Sequence, residues 1–261
     1  MYLEFETKTS YNYLKHVISA LEEPICILGG WAVFLHVNKN FRKAQGRPYL
    51  GSRDIDVGFH LDKSATVEHL RNSALAKSLD ILQNKLKFQS VSFRLLKEIH
   101  TETKEEIGEG KIIPAHFIFP LYIDILVDAI PPKFREVFHF QPADEPLLRF
   151  VFEGKKHREE LREFNKKLWL PKPELLLATK LKALKNRDKE HKKIKDICDI
   201  FALLWYSGEK SLDLQKKVAQ FLPSKNILKT ISALDEADYQ KASVQLNHTP
   251  SEIERIIGLL R

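Results

Sequence analysis

The chain has 261 residues, 43% apolar and 30% charged, with a formal net charge of +7. That is enough apolar material for one large or two modest domains with a packed core. No apolar run approaches the ~18 residues of a membrane span. Two cysteines, Cys26 and Cys198, sit in apolar runs and read as reduced core residues, excluding a disulfide framework or zinc set. The opening Met1-Tyr2-Leu3-Glu4-Phe5-Glu6 lacks the basic and apolar regions of a signal peptide, so a cytoplasmic protein is expected.

The first predicted element is a helix over Ser10–Leu21, with Ser10 as N-cap and apolar spacing at Leu14, Val17, Ile18 and Leu21. Ile25–Leu28 reads as a short buried strand. It ends in Gly29-Gly30 and runs into an apolar helix from Trp31 to Val37. A strand, a Gly turn and a helix start leave backbone N–H groups able to point at an anion. The pattern is neither a P-loop nor a GxGxxG fingerprint. A basic loop, Asn38–Tyr49, follows.

Ser52-Arg53-Asp54-Ile55-Asp56-Val57 is the most informative stretch. In a strand over 54–59, residues i and i+2 share a face, so Asp54 and Asp56 project together while Ile55 and Val57 enter the core. Carboxylates held that close repel each other unless a cation sits between them. A pair of Mg²⁺ ions clamping a phosphoryl group is one such cation. Ser52, two residues earlier, either offers its hydroxyl to a phosphate oxygen or is a turn residue.

Ser64 to about Leu86 is predicted helical and Phe88–Ile99 a strand, with 100–111 a charged turn. Ile112–Val127 is a buried neighbouring strand that carries a third carboxylate, Asp124. Pro131-Pro132 breaks the chain. Residues 133–170 form a less regular bridge with a strand candidate at Leu147–Phe152. Pro171 and Pro173 mark a boundary. Beyond it the pattern is helical: 174–187, 190–206, 209–220, 226–232, 236–245 and 250–260. The division expected is a core over 1–132, a bridge over 133–170 and a helical domain over 171–261.

Charge is uneven. Glu153–Lys195 holds 15 Lys/Arg against 7 Asp/Glu, and Pro24–Arg53 holds five basic residues and no acid. Basic segments around an acidic centre suit a polyanionic substrate such as a nucleotide or RNA. They are equally the solvated helix faces that Lys155–Lys167 and Lys185–Lys195 would make. Lys180 and Arg187 share a helix face beside the stripe Leu177, Leu181 and Leu184. They either reach phosphates or remain surface charge. Asp196 and Asp199 pair by helical spacing with Lys192 and Lys195. The histidines show no zinc-type pairing.

Gly29-Gly30, then Asp54-Ile55-Asp56, then Asp124, in this order, resemble the DNA polymerase β-like nucleotidyltransferases. Lys180-Leu181-Lys182-Ala183-Leu184, Arg187 and Lys195-Asp196-Ile197-Cys198-Asp199-Ile200 bring the chain closest to the AbiEii-like, abortive-infection toxin branch. The resemblance spans roughly residues 12 to 205. It implies an α+β fold: a small mixed sheet flanked by helices, then a C-terminal helical domain. It implies transfer of NMP from an NTP to an acceptor hydroxyl on RNA (a tRNA, for example) or protein, with Mg²⁺ or Mn²⁺ on Asp54, Asp56 and Asp124. Gly29, Gly30, Ser52, Lys180 and Arg187 would bind the nucleotide, Lys180 from across a cleft. Asp199 would brace Lys180 or a metal-side water, and an antitoxin protein would be a partner. The rival readings are a small-molecule, antibiotic-type nucleotidyltransferase and a catalytically silent nucleic-acid-binding protein of the same fold.

Overall fold

The computed structural model describes residues 2–261 except Phe93, Glu109 and Asn165. The chain forms two compact units. A sheet unit comprises Tyr2–Leu28 and Gly51–Pro171, and a helical unit comprises Gly29–Leu50 and Lys172–Arg261. Among the described residues, no helix is long and apolar enough to cross a membrane.

The elements in chain order are α1 (Glu4–Ala20), β1 (Ile25–Ile27), α2 (Gly29–Gln45), β2 (Ile55–Phe59), α3 (Val67–Arg71), α4 (Ala74–Asp80), β3 (Gln89–Val91), β4 (Arg94–His100) and β5 (Ile118–Val127). There follow α5 (Phe134–Phe138), β6 (Ala143–Asp144), α6 (Leu148–Glu153), β7 (Arg158–Glu163), β8 (Lys166–Pro171) and α7 (Pro173–Leu184). The chain closes with α8 (Glu190–Tyr206), α9 (Ser211–Val218), α10 (Ser224–Ser232), α11 (Glu236–Leu246) and α12 (Pro250–Gly258). The architecture is a mixed β-sheet with helices, followed by a helical C-terminal part.

The sheet runs β3-β4-β5-β2-β1-β8-β7, with β6 also paired to β5. β2 and β5 are parallel, as are β1 and β8, while β4–β5, β1–β2 and β7–β8 are antiparallel. β5 alternates strictly. Phe119, Leu121, Ile123, Ile125 and Val127 are buried, and the residues between them are half-exposed. One face therefore supplies core and the other can carry chemistry. Each of those five apolar side chains contributes about 1.5–3 kcal/mol by leaving water. On β2, Gly58 permits close packing: a Cβ there would lie 3.0 Å from Leu28 Cδ1 and 3.1 Å from the Leu148 methyls.

In the helical unit, α8 is the central element, packed by α2, α7, α11 and α12. Ile197, Cys198, Ile200, Phe201 and Leu203 are fully buried. Pro173 opens α7, where its missing N–H has no acceptor to lose.

Several elements differ from expectation. α1 begins six residues before Ser10, because Glu4 and Glu6 occupy its first turn and favour the positive end of the helix dipole. The predicted helix over 64–86 is interrupted. Thr66 caps α3, and the Ser73 hydroxyl accepts from Ala76 N–H at 3.1 Å to start α4. The predicted strand over 88–99 is a hairpin, β3 and β4, closed by the pair Val91 and Arg94. Leu147–Phe152, expected as a strand, is mostly the short helix α6. The basic run Lys155–Lys167 is not a helix face: it supplies most of the β7–β8 hairpin, joined to β1. There Glu160 pairs with Arg158 on its own strand at 3.3 Å and with Lys167 on β8 at 2.9 Å.

Candidate active site

The sheet unit brings the three predicted carboxylates to one face. Asp56 on β2 and Asp124 on β5 are register partners, flanked by Ile55–Ile123 and Val57–Ile125. Partners on adjoining strands project the same way. Asp54 precedes β2, two residues before Asp56. Ile55, Val57, Ile123 and Ile125 are buried, so the ladder and core together hold the acidic residues on the opposite face. Ser52 is buried just upstream.

A residue that sequence reasoning missed completes this face. Arg94, the first residue of β4, is the register partner of Asp124. Its guanidinium grips both Asp124 oxygens: Nε donates to Oδ1, and Nη2 donates to Oδ2 at 2.7 Å. Nη2 also donates to Asp54 Oδ2 at 2.9 Å. The guanidinium lies over the Tyr122 ring, 4.2 Å from its centroid, adding a cation–π contact. Burial pulls the Arg94 pKa down, but the hydrogen bonds and charges of Asp124 and Asp54 prevail and raise it. The site is partly open, with side-chain exposures of 18% for Arg94, 22% for Asp54 and 18% for Asp124. Among the described residues, no three His, Cys, Asp or Glu side chains converge as a ready metal cage. Asp54 and Asp124 are instead bridged by the Arg94 guanidinium.

The remaining predicted residues belong to the helical unit. Gly29, at φ +59°, and Gly30 open α2, and they follow directly on β1 in the chain. Lys180, expected to reach nucleotide phosphates from across a cleft, is buried in an ion-pair network of the helical unit. It is 8% exposed, and its ammonium lies 2.9 Å from Asp196 Oδ1 and 2.7 Å from Asp199 Oδ2. Arg187 Nε donates to Asp196 Oδ2 at 2.5 Å. Asp199 also receives Lys195 and, at 2.8 Å, the Tyr49 hydroxyl. The reason is spatial: α7 packs on α8, and the pairing joins residues 16 and 19 positions apart, which helical spacing within one element cannot reveal.

Buried charges in such a network make stability depend on pH. Burial pushes Asp196 up, but Lys180 and Arg187 outweigh it and hold its carboxyl below the ordinary 3.8. Burial likewise opposes the Lys180 charge, and Asp196 and Asp199 raise its pKa above 10.5. A depressed carboxyl stabilises the fold above its unfolded pKa, and that contribution disappears as pH falls through the folded value. A raised ammonium contributes below its unfolded pKa and loses that contribution as pH rises through the folded one. Both are therefore fully present at neutral pH. We predict that urea midpoints of the wild type fall steeply below pH 3.8 and those of Asp196→Asn fall less steeply. Equal slopes would show that Asp196 is not held ionised.

No family model matches the chain, and no curated protein matches it. Among solved structures, it is similar to the crystal structure of an antigenic nucleotidyltransferase-like protein from Paracoccidioides brasiliensis. The two share 17% identity at a TM-score of 0.40, over 88% of this chain and 93% of that one.

Proposed function

We propose that the sheet unit carries a metal-dependent nucleotidyltransferase centre, which moves NMP from an NTP to an acceptor hydroxyl. One observation supports this reading above the others. Asp56 and Asp124 are register partners on parallel strands, with Asp54 two residues away, so three carboxylates share one accessible face. The resemblance of the Gly-Gly, Asp-x-Asp and Asp order agrees with it.

The donor set is carboxylate oxygen alone, which suits Mg²⁺ or Mn²⁺ and not zinc. Asp54, Asp56 and Asp124 would hold the divalent ion, which would neutralise phosphate charge and lower the pKa of the acceptor hydroxyl. The chain's own contribution is placement. Buried Ile55, Val57, Ile123 and Ile125 fix β2 and β5, and with them the carboxylates. The acceptor oxygen bonds to the α-phosphorus as the bond to the bridging oxygen breaks, and pyrophosphate leaves with that electron pair. The acceptor's proton passes to a carboxylate, and we assign that role to Asp124. Such a reaction needs positioning and charge neutralisation more than covalent chemistry. The first-turn N–H groups of α2, beginning at Gly29 and Gly30, suit a phosphate. The Ser52 hydroxyl is a further candidate donor. Lys180 and Arg187 are assigned to the ion-pair network with Asp196 and not to the nucleotide.

The test is incubation with each α-labelled NTP, Mg²⁺ or Mn²⁺, and either total RNA or lysate protein. Label on one macromolecular fraction, from one or more NTPs and absent with Asp56→Asn, supports the reading and identifies the acceptor. No label from any nucleotide in either fraction overturns it.

A further inference from the structure

We infer that Arg94 is the resident counter-cation of the carboxylate face, so that a divalent ion enters only by displacing it. The inference rests on the nucleotidyltransferase reading and concerns the regulation of that site. It begins with the repulsion among carboxylates. Three of them on one sheet face destabilise each other when bare. β4 answers this by placing Arg94 in register with Asp124. The planar guanidinium then takes Asp124 with two parallel bonds and reaches Asp54 with Nη2 at 2.9 Å. Arg is suited to this because it stays charged at all relevant pH and its fork matches a carboxylate. Tyr122, two residues before Asp124 on β5, lies under the guanidinium and fixes its plane.

The oxygens so occupied belong to two of the three carboxylates assigned to the metal. A bare divalent ion must therefore break charge-assisted hydrogen bonds before it can bind. A metal–nucleotide complex has a compensation that a bare ion lacks. Its phosphate oxygens offer the released guanidinium a bidentate partner of the same geometry. Metal and nucleotide should consequently bind together, and metal alone weakly. Asp56 lies in register with Asp124.

Mn²⁺ alone is the probe, followed by titration calorimetry and by the loss of free Mn²⁺ signal in electron paramagnetic resonance. Arg94→Gln should bind Mn²⁺ at least tenfold more tightly than the wild type in the absence of nucleotide. Arg94→Lys, which keeps the charge but loses the fork, should fall between them. A non-hydrolysable NTP should raise Mn²⁺ affinity at least tenfold in the wild type and much less in Arg94→Gln. Equal Mn²⁺ affinity in all three proteins overturns the displacement idea and leaves the metal-site reading intact. No Mn²⁺ binding by any of them, with or without nucleotide, overturns both. Thermal melts establish that each variant is folded, and Arg94→Lys serves as the comparison should Arg94→Gln not fold.

Discussion

Asp56→Asn should reduce nucleotidyl transfer by about a hundredfold or more, the scale on which removing one charge-stabilising group slows such reactions. The melting temperature should hold or rise, because one of three mutually repelling carboxylates is neutralised. Asp124→Asn should lose activity to the same degree and also lose stability. Arg94 would keep a neutral amide in place of a carboxylate that it grips with two bonds, one of them 2.7 Å. Charged hydrogen bonds contribute about 1.5–3 kcal/mol each when buried, and this partly open pair should lie near the low end. The two variants thus separate chemistry from structure on one sheet face. They are compared by label transfer from an α-labelled NTP alongside thermal melts. A fall of several degrees in Asp56→Asn would make Asp56 structural and end its assignment to the site.

Lys180→Met should strongly destabilise the helical unit. It leaves Asp196 and Asp199, both essentially inaccessible, short of the ammonium that lies within 3 Å of each. Removing one partner from a buried ion pair costs about 3–5 kcal/mol. Arg187, Lys195 and Tyr49 remain on the two carboxylates, so about 3 kcal/mol is expected, a loss of roughly 10 °C in melting temperature. Lys182→Ala, at an exposed position on the same helix, should change stability by less than about 1 kcal/mol. The double variant Lys180→Met with Asp199→Asn should be more stable than the sum of the two single changes, because they share one network. Chemical denaturation measures all four. A Lys180→Met protein as stable as the wild type would show that the network contributes nothing to the fold.

Much of the candidate site is legible in one dimension because it is written in alternation. Ile55, Asp56 and Val57, or Ile123, Asp124 and Ile125, announce a strand with one apolar and one polar face whatever lies beside them. Gly29-Gly30 announces a turn. Arg94 carries no such mark. It is an ordinary arginine at the head of a strand, and its meaning comes only from the pairing of β4 with β5, set by a hairpin and a long intervening segment. Lys180 is obscured for the same reason, since its partners lie on α8. The β7–β8 hairpin was hidden by composition. Arg158-Glu159-Glu160-Leu161-Arg162-Glu163 has helix-forming residues throughout, and only tertiary pairing with β8 makes it a strand. At α6, Leu147–Phe152 is a short apolar run of the kind that periodicity cannot assign. α8 was legible end to end because it is long and apolar through its second half, where it is buried on all sides from Ile194 to Leu204.

The two terminal strands of the sheet are unalike, yet both discourage a second chain from joining. β3 is three residues long and exposed throughout. β7 is longer, but five of its six residues are charged and none is buried. A strand added there would find backbone groups to pair with but no apolar surface to cover, and it would draw several ions out of water. Short edges and charged edges are the means by which sheets avoid polymerising. The acidic face lies on β2 and β5, away from both ends, so the sheet can keep a cluster of like charges in its interior strands without offering a template for aggregation at its margins.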